Sequence, residues 1–257
     1  MVLGRKTALA VVYAEKYALP FAYLYFAWVE FHTAWYLIQK EFPLLQIILA
    51  QPPATKSAVF AELAHHVVLL LLNFFTGIFL LLGRRATVLP QKLKDVLVPL
   101  ITAFFNLTYN AIPWFPASIQ KSLWTPGMQI PLIVTGLFFG VIGPAIAIWG
   151  VLYLGRSFGI LVVVRKVVLG GPYRWVRHPM YLGYLCMLAG LILTNFSAAY
   201  FILVPIQIVL LLYRARLEET RLAESSAEYR EYRKHTGFIF PRFRRVDIDS
   251  SHDERDG

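Results

Sequence analysis

The stretch GPYRWVRHPMYLG, Gly171 to Gly183, lies between two long apolar runs and decides how the chain is read. With Arg165 just upstream it places Arg174, Arg177, His178, Tyr173, Trp175 and Tyr181 beside a hydrophobic segment. Polar chemistry at such a place is costly and is retained for use. Pro172 and Pro179 lack an N–H and fix φ, so both ends of the stretch resist ordinary helix. Pro179 suits the first turn of a helix running through Met180 to Thr194. His178 then sits at the helix mouth, where backbone N–H groups are unpaired and a polar ligand can be held. Gly183, one turn inside, permits a close approach to the backbone.

Working outward, the 257 residues are 58% hydrophobic and 16% charged. A soluble domain carries about a quarter charged residues. Several apolar runs approach or reach the roughly 20 residues that cross a bilayer, and they are continuous rather than alternating. The fold class is therefore all-α, a polytopic helical membrane protein. About six transmembrane helices are expected: Tyr17–Ile38, Val59–Leu82, Val96–Ile112, Met128–Leu154, Met180–Thr194 and Ala198–Tyr213. The N-terminal Arg5 to Lys16 reads as an uncleaved interfacial helix. The joint Asn195-Phe196-Ser197 is so short that it implies a tight antiparallel hairpin. The segment Gly155 to Pro179 reads as polar, and a charged helix follows Arg214. Three regions result: 1–127, N-terminal spans of unrecognised role; 128–245, a core holding every motif; and 246–257, a polar tail expected to be disordered.

Of the 25 lysines and arginines, 22 fall on the side that this topology gives to both termini. Only Lys40, Lys56 and Lys121 fall opposite. By the positive-inside rule the basic side, with both termini, is cytoplasmic. The +10 net charge thus follows from topology, and nucleic acid is not a partner that it requires. Membrane lipids are, since basic residues there meet anionic head groups. The lone cysteine, Cys186, cannot form an internal disulfide. No Gly-rich phosphate loop, HExxH, CxxC or GxSxG occurs, so no metal site is read.

Beyond the hairpin, Arg214 and Glu218 are four apart, and Arg216 and Glu219 three apart, on a helix leaving the membrane on the His178 side. Two carboxylates and the basic, aromatic stretch can meet over one pocket. In this order, WGVLYLGRSFG, GPYRWVRHPMYLG, the hairpin, RARLEETRL, EYREY and Pro241 resemble the isoprenylcysteine carboxyl methyltransferase family. That family is part of a wider group of integral-membrane methyltransferases that includes the phospholipid N-methyltransferases. The family pattern, GPYRxxRHPxYxG, RxxxEExxL, FGxxYxxY and a late proline, holds from about Trp149 to Pro241. The chain departs from it at Ser225-Ser226, where the family has Phe-Gly, and at Thr236-Gly237-Phe238, where it has Val-Pro-Arg.

The resemblance implies S-adenosylmethionine as methyl donor. It implies that His178, Tyr181 and Gly183 line the cofactor pocket, that Glu218 and Glu219 contact its polar end, and that Tyr229 and Tyr232 close over it in a cytoplasmic helical cap. The chemistry is apt, because the donor carries an ammonium, a sulfonium and a carboxylate. Tyr173, Trp175 and Tyr181 are candidates to stack the adenine or face the sulfonium.

A carboxylate acceptor is already a nucleophile near neutrality and needs only to be held, for which Arg174, Arg177 and Arg214 are the candidates. The preferred acceptor is the carboxylate of a lipophilic, isoprenylcysteine-like substrate. A phospholipid or other small lipophilic amine, or a thiol, is the alternative, with Glu218, Glu219 or His178 as base. A transporter or scaffold would rest on Glu30, His32, Glu62, His65, His66 and Asn73. Glu62, His65 and His66, at i, i+3 and i+4, suggest a metal or proton site, or else an outer interface with Glu30 and His32 paired between helices.

Overall fold

The computed structural model describes residues 2–41, 53–84, 86–121, 123 and 128–242, with the backbone alone at 41, 53–62, 106 and 110. The Glu62 side chain and the 246–257 tail lie outside the described residues. Those residues form helices and isolated bridges, with no strand among them.

The α-helices longer than a single turn are α1 (Arg5–Tyr17), α2 (Leu19–Glu41), α3 (Pro53–Leu81), α4 (Lys94–Phe104), α5 (Gln129–Leu154), α6 (Pro179–Thr194), α7 (Ala198–Ser225) and α8 (Ala227–His235). A 3₁₀ stretch, Phe105–Trp114, follows α4. Among the described residues three helices are long and apolar enough to cross a membrane: Leu63–Leu81, Gln129–Ser157 and Ala198–Ser225. A fourth is added if Lys94–Phe104 and Leu107–Trp114, bent by 46°, form one span. The expectation of six is therefore met by three or four. α6 is apolar but only 16 residues long. α2 carries Glu30, His32 and Lys40 along its 23 residues.

α5 and α6 pack antiparallel through glycine. A Cβ on Gly183 would stand 2.5 Å from the Gly143 carbonyl oxygen, and one on Gly190 would stand 2.6 Å from that of Gly136. Small residues at matched positions let backbones touch where hydrocarbon offers no hydrophobic drive to associate. α7 is one unbroken helix from Ala198 to Ser225, apolar at its start and charged from Arg214 onward, so the second arm of the expected hairpin and the charged helix share one rod.

The segment after α5 departs from the polar reading. Phe158, Ile160, Leu161, Val162 and Val164 are buried. Its irregular backbone is satisfied by distant partners, as burial demands. Glu15 Oε1 accepts from Ile160 N at 2.6 Å and Leu161 N at 2.9 Å, and Arg214 Nη2 donates to the Ile160 carbonyl at 2.9 Å. The N-terminal helix is thereby tied to the C-terminal core.

Candidate active site

A cavity of about 740 Å³ runs between the helices. His178, Tyr181, Arg177, Arg214, Glu218, Tyr229 and Tyr232 line one end; Glu30, His65, Gly190 and Asn195 line its far reaches. The N-terminal region, which carried no motif, contributes Tyr23, Glu30, His65, Asn73 and Thr76 to the wall. The volume falls within the roughly 300–1,000 Å³ range of small-molecule sites.

His178 occupies the N-cap of α6 and Pro179 its first position, as the sequence implied. The motif backbone is held by the C-terminal segment: Arg177 N donates to the Gly237 carbonyl at 2.8 Å and His178 N to that of Phe238 at 3.1 Å. The departure at Thr236-Gly237-Phe238 is thus what clasps the motif. A Cβ on Gly237 would collide with the Phe240 carbonyl oxygen at 1.8 Å. The other departure is also structural: Ser226 caps α8, its hydroxyl accepting from Tyr229 N at 3.1 Å. The buried His178 ring lies against Tyr181 and Phe238, with centroids 5.1 and 5.0 Å away. Its Nε2 has no hydrogen-bond partner among the described residues; Glu219 Oε1, at 3.4 Å, is within ion-pair range only.

The two carboxylates play different parts. Glu218 Oε1 accepts from Tyr181 Oη at 2.5 Å and from Arg214 Nε at 3.0 Å, leaving Oε2 with no donor among the described residues. Glu219 is bound by Arg177 through Nε and Nη2, and by Tyr229 Oη at 3.3 Å. It does not line the cavity. Arg177 also donates to the Arg233 and Thr236 carbonyls at the end of α8. Tyr232 donates to the Tyr173 carbonyl. Burial first, and then Glu219, hold the Tyr229 phenol well above its ordinary pKa; burial raises Tyr232 to about 12.

Besides Glu219, the expected residues Gly183, Arg174 and Trp175 also lie off the cavity wall. Gly183 does not line the cavity, because the face that a side chain would occupy meets α5. Arg174 is exposed and lies over Trp175, 5.7 Å from its ring, away from the cavity. Trp175 is also exposed and packs on Trp149, whereas Tyr173 is buried and lines the wall.

Sequence reasoning missed three supports. Glu15 holds Arg165 Nη2 at 2.6 Å besides the Ile160 and Leu161 amides. Asp95, buried, holds Arg221 Nη2 at 2.6 Å, and Arg221 lines the cavity. Neither acid belongs to a motif, and each sits beside a lysine at the edge of an apolar run, where nothing local marks it. Glu30 pairs between helices, as expected, but with a partner not singled out for it, His66 Nδ1 at 2.7 Å, whereas His32 packs on Trp28 of its own helix. Among the described residues no group of three or more His, Cys, Asp or Glu could hold a metal.

Residues 130–228 match the family model described as Phospholipid methyltransferase, of the integral-membrane methyltransferase group related to the isoprenylcysteine carboxyl methyltransferases. The match covers α5 to the start of α8 and so contains Arg177, His178, Tyr181, Arg214, Glu218 and Glu219. No curated protein matches the chain.

Proposed function

We propose that the chain is an S-adenosylmethionine-dependent methyltransferase whose acceptor is a lipophilic amine drawn from the bilayer. The integral-membrane methyltransferase assignment is supported by the family match. Six spans with both termini cytoplasmic remain the topology that we assign to it, α2 and the short α6 being the additional crossings.

The cofactor suits the residues present. Glu218 offers an oxygen that no described donor fills, and His178 a buried nitrogen without a hydrogen bond, both at one end of the cavity. Glu218 would take the donor's ammonium, the first turn of α6 its carboxylate, and Tyr181, Tyr229 and Tyr232 would cover it. When bound it supplies an electrophilic methyl group on sulfonium.

The commitment of the arginines carries the choice of acceptor. Arg177 is engaged by Glu219 and the end of α8, Arg214 by Glu218 and the Ile160 carbonyl, and Arg174 lies outside the cavity. Arg174 is off the cavity wall, and Arg177 and Arg214 are each paired with an acid, which weakens the main support for the isoprenylcysteine-like reading. Arg214 Nη1 is the one group of the two paired guanidiniums that keeps no acceptor among the described residues. An amine must lose a proton before it attacks. His178 lines this end of the cavity and is the candidate to take that proton on its ring, while its buried Nε2, 3.4 Å from Glu219 Oε1, would pair with that carboxylate in the resulting imidazolium.

The test is labelled-methyl transfer in nanodiscs to hexadecylamine and to hexadecanoic acid, with calorimetry of S-adenosylhomocysteine binding. Transfer to the amine is the expected result. Transfer to the acid alone would restore the carboxylate reading, and absence of both binding and transfer would remove the enzyme reading.

A further inference from the structure

The end of the cavity opposite His178 is lined by polar groups that the methyl-transfer reading does not use. His65 Nδ1 lies 2.8 Å from the Gly140 carbonyl. A carbonyl only accepts, so Nδ1 carries the hydrogen and Nε2 of the neutral ring is a bare acceptor. Glu30 Oε2 takes His66 Nδ1 at 2.7 Å, while Oε1 has no donor among the described residues. Asn195 Nδ2 is engaged by the Leu191 carbonyl at 3.2 Å and Thr194 Oγ1 at 2.8 Å, which leaves its Oδ1 without a described donor. Three residues lining this end of the cavity thus each carry an acceptor with no donor among the described residues.

Depth follows from the helix packing. His65 meets Gly140, and Gly140 N would stand 3.0 Å from a Cβ on Gly190. Gly190 is twelve residues along α6 from His178, or about 18 Å at the rise of an α-helix. The cavity wall between carries Leu69, Leu72, Met187 and Leu188, with the polar Asn73 and Thr76 among them. A plain isoprenoid or acyl chain would bury the far acceptors against hydrocarbon without hydrogen bonds, which is costly in a membrane interior.

We propose that Glu30, His65 and Asn195 form a second subsite, which takes a hydroxyl at the distal end of the acceptor's chain. The preferred substrate is then an amphiphile polar at both ends. The inference rests on the lipophilic-acceptor reading but not on which head group is methylated.

Binding in nanodiscs without methyl donor, corrected with empty discs, tests it on two matched pairs: hexadecylamine against ω-hydroxyhexadecylamine, and hexadecanoic acid against ω-hydroxyhexadecanoic acid. In the pair whose head group binds, the ω-hydroxy compound should bind about fivefold more tightly, as expected for a buried hydrogen bond. The preference should vanish in His65→Phe, with Glu30→Met as the second variant. Equal binding within the pair that binds, the result if water fills this end, would overturn the subsite, as would a preference that survives both substitutions. A preference for acid over amine would instead overturn the head-group assignment and leave the distal comparison readable.

Discussion

Arg177 binds Glu219 through two guanidinium nitrogens, Nε to Oε1 and Nη2 to Oε2 at 3.3 Å, and so ties the motif ahead of α6 to the charged end of α7. Both side chains are nearly buried, at 12% and 13% exposure. The pair also reaches α8, through Tyr229 on the acid and the Arg233 and Thr236 carbonyls on the arginine. It is a knot of three elements rather than a ligand cradle.

Breaking that knot should act on the fold first. Removing one partner of a buried pair costs about 3–5 kcal/mol, because the other charge is left uncompensated. Arg177→Ala and Glu219→Gln are therefore expected to lower the melting temperature and to release α8, seen as faster proteolysis near Ser226. Unchanged melting and unchanged cleavage in both variants would show that the pair is not structural.

Glu218 should behave differently. Tyr181→Phe removes a hydrogen bond to a carboxylate, worth about 1.5–3 kcal/mol, and frees Glu218 from its set orientation. The expected result is S-adenosylhomocysteine binding weakened by about 10- to 100-fold, with a smaller loss of melting temperature than Arg177→Ala produces. Glu218→Gln should weaken it similarly. Wild-type affinity in both would remove Glu218 from the cofactor's polar end.

The contrast between these neighbours shows how far the sequence could be read. The helix from Pro179 to Thr194, the short joint after it and the capping place of His178 were all legible, because proline chemistry and apolar length act locally. Adjacent acids at 218 and 219 were not separable, since their difference comes from which face of α7 meets the cavity. The irregular segment around Ile160 was misread because its burial depends on Glu15 and Arg214, each more than 50 positions away. The arginines in the motif suggested a carboxylate grip; the structure shows Arg177 engaged by Glu219 and Arg174 exposed away from the cavity.

Gly183 yields a third prediction. A Cβ there would meet the Gly143 carbonyl at 2.5 Å and Ala147 N at 2.8 Å, backbone atoms that cannot rotate aside. Gly183→Ala should therefore destabilise by about 1–3 kcal/mol, as overpacking does, by forcing α5 and α6 apart. Thermal unfolding in detergent should register the loss, while the folded fraction retains cofactor affinity. A stable variant with impaired affinity would return Gly183 to the cofactor pocket.

The pH dependence of turnover decides the acceptor. A carboxylate is ionised well below neutrality, so its methylation should be flat between about pH 6.5 and 8.5. An amine is mostly protonated in that window, and its reactive fraction grows by up to tenfold per pH unit until the amine or its base has titrated. We expect a climbing rate, by about tenfold or more, under conditions where chemistry limits turnover. The arginines at this end of the cavity cannot produce such a slope, since guanidinium stays protonated. Nor can Tyr229 or Tyr232, whose phenols burial raises, Tyr232 to about 12 and Tyr229 further, so that both remain protonated throughout the window. His178 is the candidate base at this end of the cavity, which makes His178→Asn the control. Residual activity that still climbs with pH in that variant reports the acceptor's own proton. Activity that climbs in the wild type but is flat in His178→Asn would place the titration on the histidine and leave the acceptor unassigned. A flat wild-type profile would overturn the amine.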